Sequence, residues 1–211
     1  MFLPMFCYCF FHLVCCGKIC FSTERIIVLR SVAERFQKLL VGFTEKEVGG
    51  TAVHAGIVKA GQAMLQEAQD KGHKLLVGGP EISSTNSLKP SIILIDPKTS
   101  KTELKIVDAE SFSPSASLYI VDSDAEAIEV ANASAYGLNA TIHSTSMERA
   151  LKMGRELEYG QVHVNSSSVF MSWTGPQWGV KGSGWGRQNA HWGLVEFLQE
   201  KFITYHGEGS V

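Results

Sequence analysis

Residues 17–29 have the sequence GKICFSTERIIVL, in which a polar loop carrying Cys20 leads directly into an apolar, β-branched run. Such a run predicts a buried strand over Arg25–Leu29. Ser31 follows, and Glu34 lies three positions later, which is the spacing of a capping box at the N-terminus of a helix. A strand that passes straight into a helix predicts a βα unit, with Cys20 in the loop that precedes it.

The same order of elements returns along the chain. Five further apolar runs predict strands, at Lys74–Gly78, Ser91–Ile95, Ser117–Val121, Ala140–Ser144 and Gln161–Asn165. Capping boxes that begin at Ser123 and Thr145 predict helices after two of these strands. An apolar stripe predicts another helix near Ala55–Asp70. Alternating strands and helices are typical of an α/β fold, so we expect a mainly parallel sheet flanked by helices.

Polar and glycine-rich loops are the candidates for a ligand site. In open α/β sheets, ligands bind beyond the carboxyl ends of the strands, and we expect three loops there, at Asp108–Pro114, Asn165–Ser168 and Trp173–Arg187. The glycines of the last loop indicate left-handed backbone or a close approach to a bound group. A tight surface turn that docks a C-terminal helix would explain the same glycines.

Composition excludes several classes of function. The chain of 211 residues has 45% hydrophobic and 19% charged residues and a formal net charge of −2, and no cluster of Lys and Arg stands out. This charge pattern argues against nucleic-acid binding. No cysteine follows Cys20, so the sequence predicts no disulfide framework and a reducing, cytoplasmic location. No metal site is predicted.

The two ends of the chain differ from the domain between them. Residues 1–16 carry no charged side chain and are rich in Phe and Cys. They lack the features of a cleaved signal peptide and are shorter than the ~20 residues that span a bilayer. A secretory or anchoring segment and a stretch that is not native coding sequence both remain open, and we expect this lead to be non-native or disordered. The main domain is then predicted over residues 17–191, and residues 192–211 are predicted to form a helix near Leu194–Thr204 and an extended end at Phe202–Tyr205.

Several motifs together resemble one enzyme family. The pattern Cys20-x-Ser22-x-x-Arg25 resembles the segment that begins at the catalytic cysteine of NAD(P)-dependent aldehyde dehydrogenases, and Glu110-x-Phe112 resembles their Glu-x-Phe-Gly-Pro motif. Three later matches follow in order and at family spacing, at residues 131–138, 160–165 and 179–187. The resemblance covers residues 17 to about 206. It is greatest to the branch that acts on aromatic aldehydes such as vanillin and salicylaldehyde.

The resemblance implies roles for particular side chains. Cys20 matches the nucleophile, Glu110 matches the carboxylate that holds the nicotinamide ribose, and Phe112 matches the residue beside the nicotinamide. Met171 and Gln177 fall where the family lines its substrate tunnel. The implied cofactor is NAD or NADP, and the implied substrate is a small aldehyde. In the family the C-terminal tail pairs with a neighbouring subunit, which implies a homo-oligomer or assembly with a full-length relative. A membrane partner is not expected.

The chain also departs from the family pattern. Lys18 replaces a glutamine, Ser113 replaces a glycine, and Gln177-Trp178 replace Phe-Gly. No G-x-G-x-x-G fingerprint follows a strand near the start, and the family's cofactor domain, oxyanion asparagine and general-base glutamate have no counterpart here. We therefore expect little or no aldehyde oxidation by this chain alone. Two alternatives stay open: a non-catalytic subunit that joins aldehyde dehydrogenase oligomers, and a cofactor-free esterase that uses the Cys20 thiol.

Overall fold

The computed structural model describes residues 19–100 and 102–207, so the expectation for residues 1–16 lies outside the described residues. The helices are α1 (Arg30–Thr44), α2 (Ala55–Asp70), α3 (Asp124–Asn132), α4 (Met147–Glu156) and α5 (Ala190–Val195), with a 3₁₀ turn at Lys105–Val107. The first six strands are β1 (Arg25–Leu29), β2 (Lys74–Val77), β3 (Ile82–Ser84), β4 (Ser87–Leu88), β5 (Ser91–Ile95) and β6 (Ser115–Val121). The other six are β7 (Tyr136–Gly137), β8 (Asn139–Ile142), β9 (Gln161–Val164), β10 (Gln177–Trp178), β11 (Val180–Lys181) and β12 (Arg187–Gln188).

The main sheet confirms the predicted α/β fold. Its strand order is β1-β6-β5-β2. Strands β1 and β5 both run parallel to the central strand β6, and β2 is an antiparallel edge strand. A second parallel pair, β8 with β9, stands apart from this sheet. Three further pairs, β3 with β4, β7 with β11 and β10 with β12, are short and antiparallel.

The apolar runs form strands because both faces of the main sheet are covered. Alternate residues of β5 point to opposite faces, so Ile93 packs in the cluster under α2 while Ile92 packs in the cluster under α1. Helix α2 contributes Val58 and Leu65 to the first cluster, and α1 contributes Leu40 to the second. Strands buried on both faces have the continuous apolar sequences seen here.

The helix starts agree with the predicted capping boxes at one of three places. Ser123 caps α3 by accepting the N–H of Glu126 at 3.1 Å, as predicted. Helix α4 is capped by Ser146 and not by Thr145, since the Ser146 hydroxyl accepts the N–H of Arg149. Ser31 lies inside α1, which begins directly after β1 without a side-chain cap.

The C-terminal helix lies earlier than predicted. Helix α5 ends at Val195, and the described residues 196–207 form no helix or strand, so the prediction of a helix near Leu194–Thr204 was wrong. Left-handed backbone at Asn189 and Ala190 (φ 81° and 43°) begins α5 directly after β12. The apolar side chains from the end of α5 onward lie outside the two described core clusters. Between 69% and 90% of each is exposed at Leu194, Phe197, Leu198, Phe202, Ile203 and Tyr205. The division of the chain at residue 191 stays a prediction.

No helix in the described ranges combines the length and the apolar character needed to cross a membrane.

Gly61 of α2 packs closely against Ser113, and this contact can be tested because it leaves no room for a side chain at Gly61. A Cβ at Gly61 of α2 would lie 2.5 Å from Ser113 Cβ. We predict that Gly61→Ala lowers the free energy of unfolding by about 1–3 kcal/mol, as overpacking does. Adding Ser113→Gly removes the clashing atoms, so the double variant should regain about 1 kcal/mol or more in a double-mutant cycle.

Gly42→Ala in α1 is the matched control for urea unfolding. A Cβ there meets no atom within 4 Å, so the gain in helix propensity should stabilise the protein by about 0.5–1 kcal/mol. If Gly61→Ala lowered the free energy of unfolding by the same amount with and without Ser113→Gly, the contact would be contradicted.

Candidate active site

Cys20 lies in an exposed turn in front of β1. The N–H of Ser22 donates to the carbonyl of Ile19 at 2.9 Å, which closes the turn around the cysteine. The Cys20 thiol is free and exposed. The loop is polar and ends where the apolar strand starts, so the fold leaves this sulfur accessible.

The Cys20 turn and the loop of Glu110 lie at the same edge of the sheet. Cys20 precedes β1, and residues 108–114 precede β6. Because β1 and β6 are parallel, both loops stand at the amino ends of the strands. The expectation that Asp108–Pro114 lies beyond a carboxyl end was wrong, whereas Asn165–Ser168 does follow the carboxyl end of β9.

A carboxylate that the sequence analysis overlooked joins these two loops. Oε1 of Glu24 accepts hydrogen bonds from the backbone N–H of Ser111 (3.1 Å), the hydroxyl of Ser111 (3.0 Å) and the backbone N–H of Phe112 (3.2 Å). Burial raises the pKa of Glu24, while the bonds from Ser111 and Phe112 act in the opposite direction. A glutamate directly before a buried strand was the signal that could have revealed this role.

We call the contact of Glu24 with Ser111 and Phe112 the junction. The two predicted cofactor residues, Glu110 and Phe112, lie in the loop on one side of it. Glu110 is exposed, and no described residue donates a hydrogen bond to its carboxylate. Partial burial raises the pKa of Glu110, and the nearby charge of Glu24 raises it further. Phe112 is half-buried and has left-handed backbone with φ 49°. The junction therefore presents a carboxylate and an aromatic ring close to the thiol segment.

The loop after β9 contacts the Cys20 segment from another side. The hydroxyl of Thr23 lies 3.1 Å from that of Ser168. Met171, a predicted substrate contact, is about half exposed in this loop. Asn165 bonds the backbone of Ser144 through both ends of its amide, at 2.9 and 2.8 Å. Asn165 thus braces the loop through the backbone of Ser144.

The other predicted substrate residue, Gln177, is placed differently. It is buried in β10, and its carbonyl accepts a hydrogen bond from the side chain of Gln188 at 2.8 Å. The amide therefore stabilises the β10–β12 pair. Its place in a substrate tunnel stays a prediction.

Most of the later motif residues build the scaffold. Lys181 donates to the carbonyls of Asn132 (2.8 Å) and Ser134 (3.3 Å) at the C-terminus of α3 and pairs with Glu158. Arg25 donates to the carbonyl of Val130 in the same helix at 2.8 Å. Cations suit these positions because the last carbonyls of a helix lack partners and carry partial negative charge.

The glycine-rich loop docks the C-terminal helix, which was one of the two explanations that we considered. Gly184 and Gly186 have positive φ (105° and 81°). Arg187 pairs with Glu196 at 3.1 Å and stacks over Trp192. This geometry accounts for the glycines without a ligand.

A cleft of about 630 Å³ opens at the opposite edge of the sheet, at the carboxyl ends of β1 and β6. Its walls carry two ion pairs, Arg30 with Asp122 and Arg149 with Asp124. Both arginines of the cleft are therefore already paired with carboxylates.

Comparison with known proteins gives the same assignment over nearly the whole chain. Residues 8–203 match the model described as the aldehyde dehydrogenase family. The salicylaldehyde dehydrogenase of Pseudomonas putida is 32% identical over 199 residues, covering 89% of this chain and 40% of the relative. A non-phosphorylating aspartate-semialdehyde dehydrogenase of Halomonas elongata is 33% identical over 210 residues, covering 92% of this chain and 41% of the relative.

Solved structures agree with the fold. A salicylaldehyde dehydrogenase from Pseudomonas putida G7, solved with salicylaldehyde, superimposes with a TM-score of 0.87 at 28% identity, over 99% of this chain and 44% of that one. A succinic semialdehyde dehydrogenase from Streptococcus pyogenes, solved with NADP⁺, gives 0.85 at 29% identity, over 97% and 46%. This chain thus spans about 40% of the length of the curated relatives described above.

The raised pKa of Glu110 predicts a pH-dependent stability. The folded state disfavours its ionised form, so the associated stability is present below the ordinary value of 4.5 and is lost as the pH rises through the folded-state pKa. Glu110→Gln should therefore raise the melting temperature at pH 7 by about 1–2 °C, a small shift for an exposed group. The difference should disappear near pH 4.

Glu67→Gln is a control of opposite sign for this melting series. The Lys71 ammonium holds the pKa of Glu67 below its ordinary value, so this variant should be the less stable one at pH 7. A Glu110→Gln protein that melts below the wild type at pH 7 would disprove the assigned electrostatics.

Proposed function

Because the chain belongs to the aldehyde dehydrogenase family, we propose that it supplies the catalytic part of an NAD(P)-dependent aldehyde oxidation with Cys20 as the nucleophile. The observation that carries this proposal is the junction itself. The segment of an exposed free thiol is tied through Glu24 to the loop that bears Glu110 and Phe112.

The chemistry begins at sulfur. The Cys20 thiolate attacks the aldehyde carbon, a C–S bond forms, and the carbonyl electron pair moves to oxygen to give a thiohemiacetal. A nicotinamide held beside Glu110 and Phe112 would supply the hydride acceptor for this oxidation. Water then breaks the C–S bond of the resulting thioester, which releases the carboxylic acid and restores the thiol.

The residues at the junction fit the nicotinamide end of the cofactor. Both oxygens of the Glu110 carboxylate are open to hydrogen bonds from paired ribose hydroxyls, and Phe112 offers an aromatic surface beside them. The described residues contain no G-x-G-x-x-G turn for a pyrophosphate. Oxidation would therefore need further cofactor contacts, and this chain alone should oxidise aldehydes poorly.

The proposed substrate is a small aromatic aldehyde. The similarity to the salicylaldehyde dehydrogenase supports this class, and Met171 provides a flexible apolar contact in the loop beside the Cys20 segment. We infer from the family resemblance that Gln177 also lines the substrate site, where its bond to Gln188 would hold it in place. A reducing compartment such as the cytoplasm would keep the thiol available.

The exposed apolar tail supports assembly with another chain. Six large apolar side chains between Leu194 and Tyr205 are mostly exposed, and clusters of exposed apolar residues are common at protein–protein interfaces. We expect this tail to pair with a second copy or with a longer relative.

Acylation of Cys20 tests the nucleophile without requiring the cofactor. The thiolate should attack p-nitrophenyl acetate, release nitrophenolate and retain the acetyl group as a thioester. Peptide mass spectrometry of the native chain should find this acetyl group on Cys20 ahead of Cys7, Cys9, Cys15 and Cys16, and Cys20→Ala should remove the fast nitrophenolate phase. Uniform labelling of all five cysteines, as in denaturing urea, would reject Cys20 as the nucleophile.

A second assay tests the expected lack of oxidation. The purified chain is mixed with salicylaldehyde and NAD⁺ or NADP⁺, and absorbance at the wavelength of the reduced nicotinamide is followed. We predict no rate above that of Cys20→Ala. A clear Cys20-dependent rate would contradict the need for further cofactor contacts.

A further inference from the structure

Glu24 is the one partly buried carboxylate described here that bonds across two candidate-site loops. It lies four residues after Cys20, and the three hydrogen bonds that its carboxylate accepts come from Ser111 and Phe112. It was absent from the residue roles that the resemblance implied. Its position therefore calls for an explanation in terms of the site.

The loop forms an anion-binding nest around this carboxylate. Consecutive N–H groups of Ser111 and Phe112 converge on a single oxygen. Convergence of this kind goes with a left-handed residue, and Phe112 has φ 49°. For a residue with a side chain, this backbone costs of order 1 kcal/mol and persists only where its surroundings hold it. The hydrogen bonds to the Glu24 carboxylate stabilise the left-handed backbone at Phe112.

A chain of buried hydroxyls extends the bond into the sheet. The hydroxyl of Ser111 donates to Glu24 and accepts from that of Ser113 at 3.1 Å, and the Ser113 hydroxyl lies 2.7 Å from that of Ser115. All three serines are buried. The carboxylate thus fixes the loop to the first residue of β6, and the position of Glu110 follows from this anchoring.

The buried position of the Glu24 carboxylate is unfavourable for its negative charge. Burial disfavours the charge of Glu24, and the same charge raises the pKa of Glu110. Perturbed carboxylates of this kind are more common in functional sites than elsewhere.

We propose that Glu24 is a positioning residue, which holds the Glu110–Phe112 loop in register with Cys20 so that the nicotinamide end of the cofactor meets the thiol. This inference rests on the proposed function and adds a residue to it. Glu24 acts through the loop and need not touch the cofactor.

The test measures whether a nicotinamide probe reaches Cys20. Acylation of Cys20 by p-nitrophenyl acetate is followed in the full chain at increasing concentrations of oxidised nicotinamide mononucleotide. In the wild type, the probe bound at Glu110 and Phe112 should slow Cys20 acylation. Glu24→Ala should raise the probe concentration needed for half of this effect about tenfold or more, as expected for loss of bonds to a charged acceptor.

Two variants separate positioning from stability. All three bonds end on Oε1, so the amide oxygen of Glu24→Gln can accept them, and this variant should stay within about threefold of the wild type. Glu126→Ala removes a carboxylate that accepts the N–H of Asp122 at the opposite edge of the sheet, and it should leave the probe effect unchanged. If Glu24→Ala fails to fold, Ser111→Ala removes one of the three donors and should raise the half-effect concentration about threefold.

The outcomes distinguish the two proposals. A wild type whose Cys20 is not acylated, or whose acylation the probe leaves unchanged, would overturn the proposed function and this inference with it. A normal probe effect in the wild type that persists unchanged in Glu24→Ala and in Ser111→Ala would overturn the positioning role alone.

Discussion

The hydrogen bonds between the Glu24 carboxylate and the backbone of Ser111 and Phe112 determine the arrangement of the candidate site. Parallel pairing of β1 with β6 brings the Cys20 turn and the Glu110 loop to one edge of the sheet, and the carboxylate bonds fix the second loop to the segment that carries Cys20. A charged acceptor forms stronger bonds than a neutral one, and here it also stabilises left-handed backbone at Phe112. One side chain thus sets the relation between a nucleophile and a candidate cofactor contact.

The site lies at the amino ends of the parallel strands, the reverse of the usual rule for open α/β sheets. The reason is local. The thiol precedes β1 and the acidic loop precedes β6, and parallel pairing of these strands brings the two loops to one edge. The carboxyl edge holds a cleft whose arginines are already paired with aspartates. Lys181 of the last motif holds the C-terminus of α3 and lies outside the junction.

The sequence was informative where a residue's environment depends on its near neighbours. Apolar runs gave β1 and β5 with their observed bounds, because strands buried on both faces admit few other side chains. The exposed turn of Cys20 followed from the polar residues around it. The capping-box spacing misplaced the start of α1, since β1 passes directly into this helix at Arg30 and no side-chain cap forms.

Features that depend on contacts between residues far apart along the chain could not be predicted from the sequence. The edge at which residues 108–114 lie is set by strand order, and the partners of Glu24 are separated from it by 87 and 88 residues. Helix α5 ends at Val195, and the apolar side chains that follow it are left mostly exposed within the described ranges. The family resemblance supplied roles for Cys20 and Glu110, but only the fold revealed the carboxylate that connects them.

Amide hydrogen exchange of Ser111 and Phe112, measured by NMR, tests the central interaction most directly. Both amides bond to Glu24. We therefore predict slow exchange in the native chain and exchange about tenfold faster or more in Glu24→Ala. Fast exchange of both amides in the native chain, or rates that Glu24→Ala does not change, would contradict it.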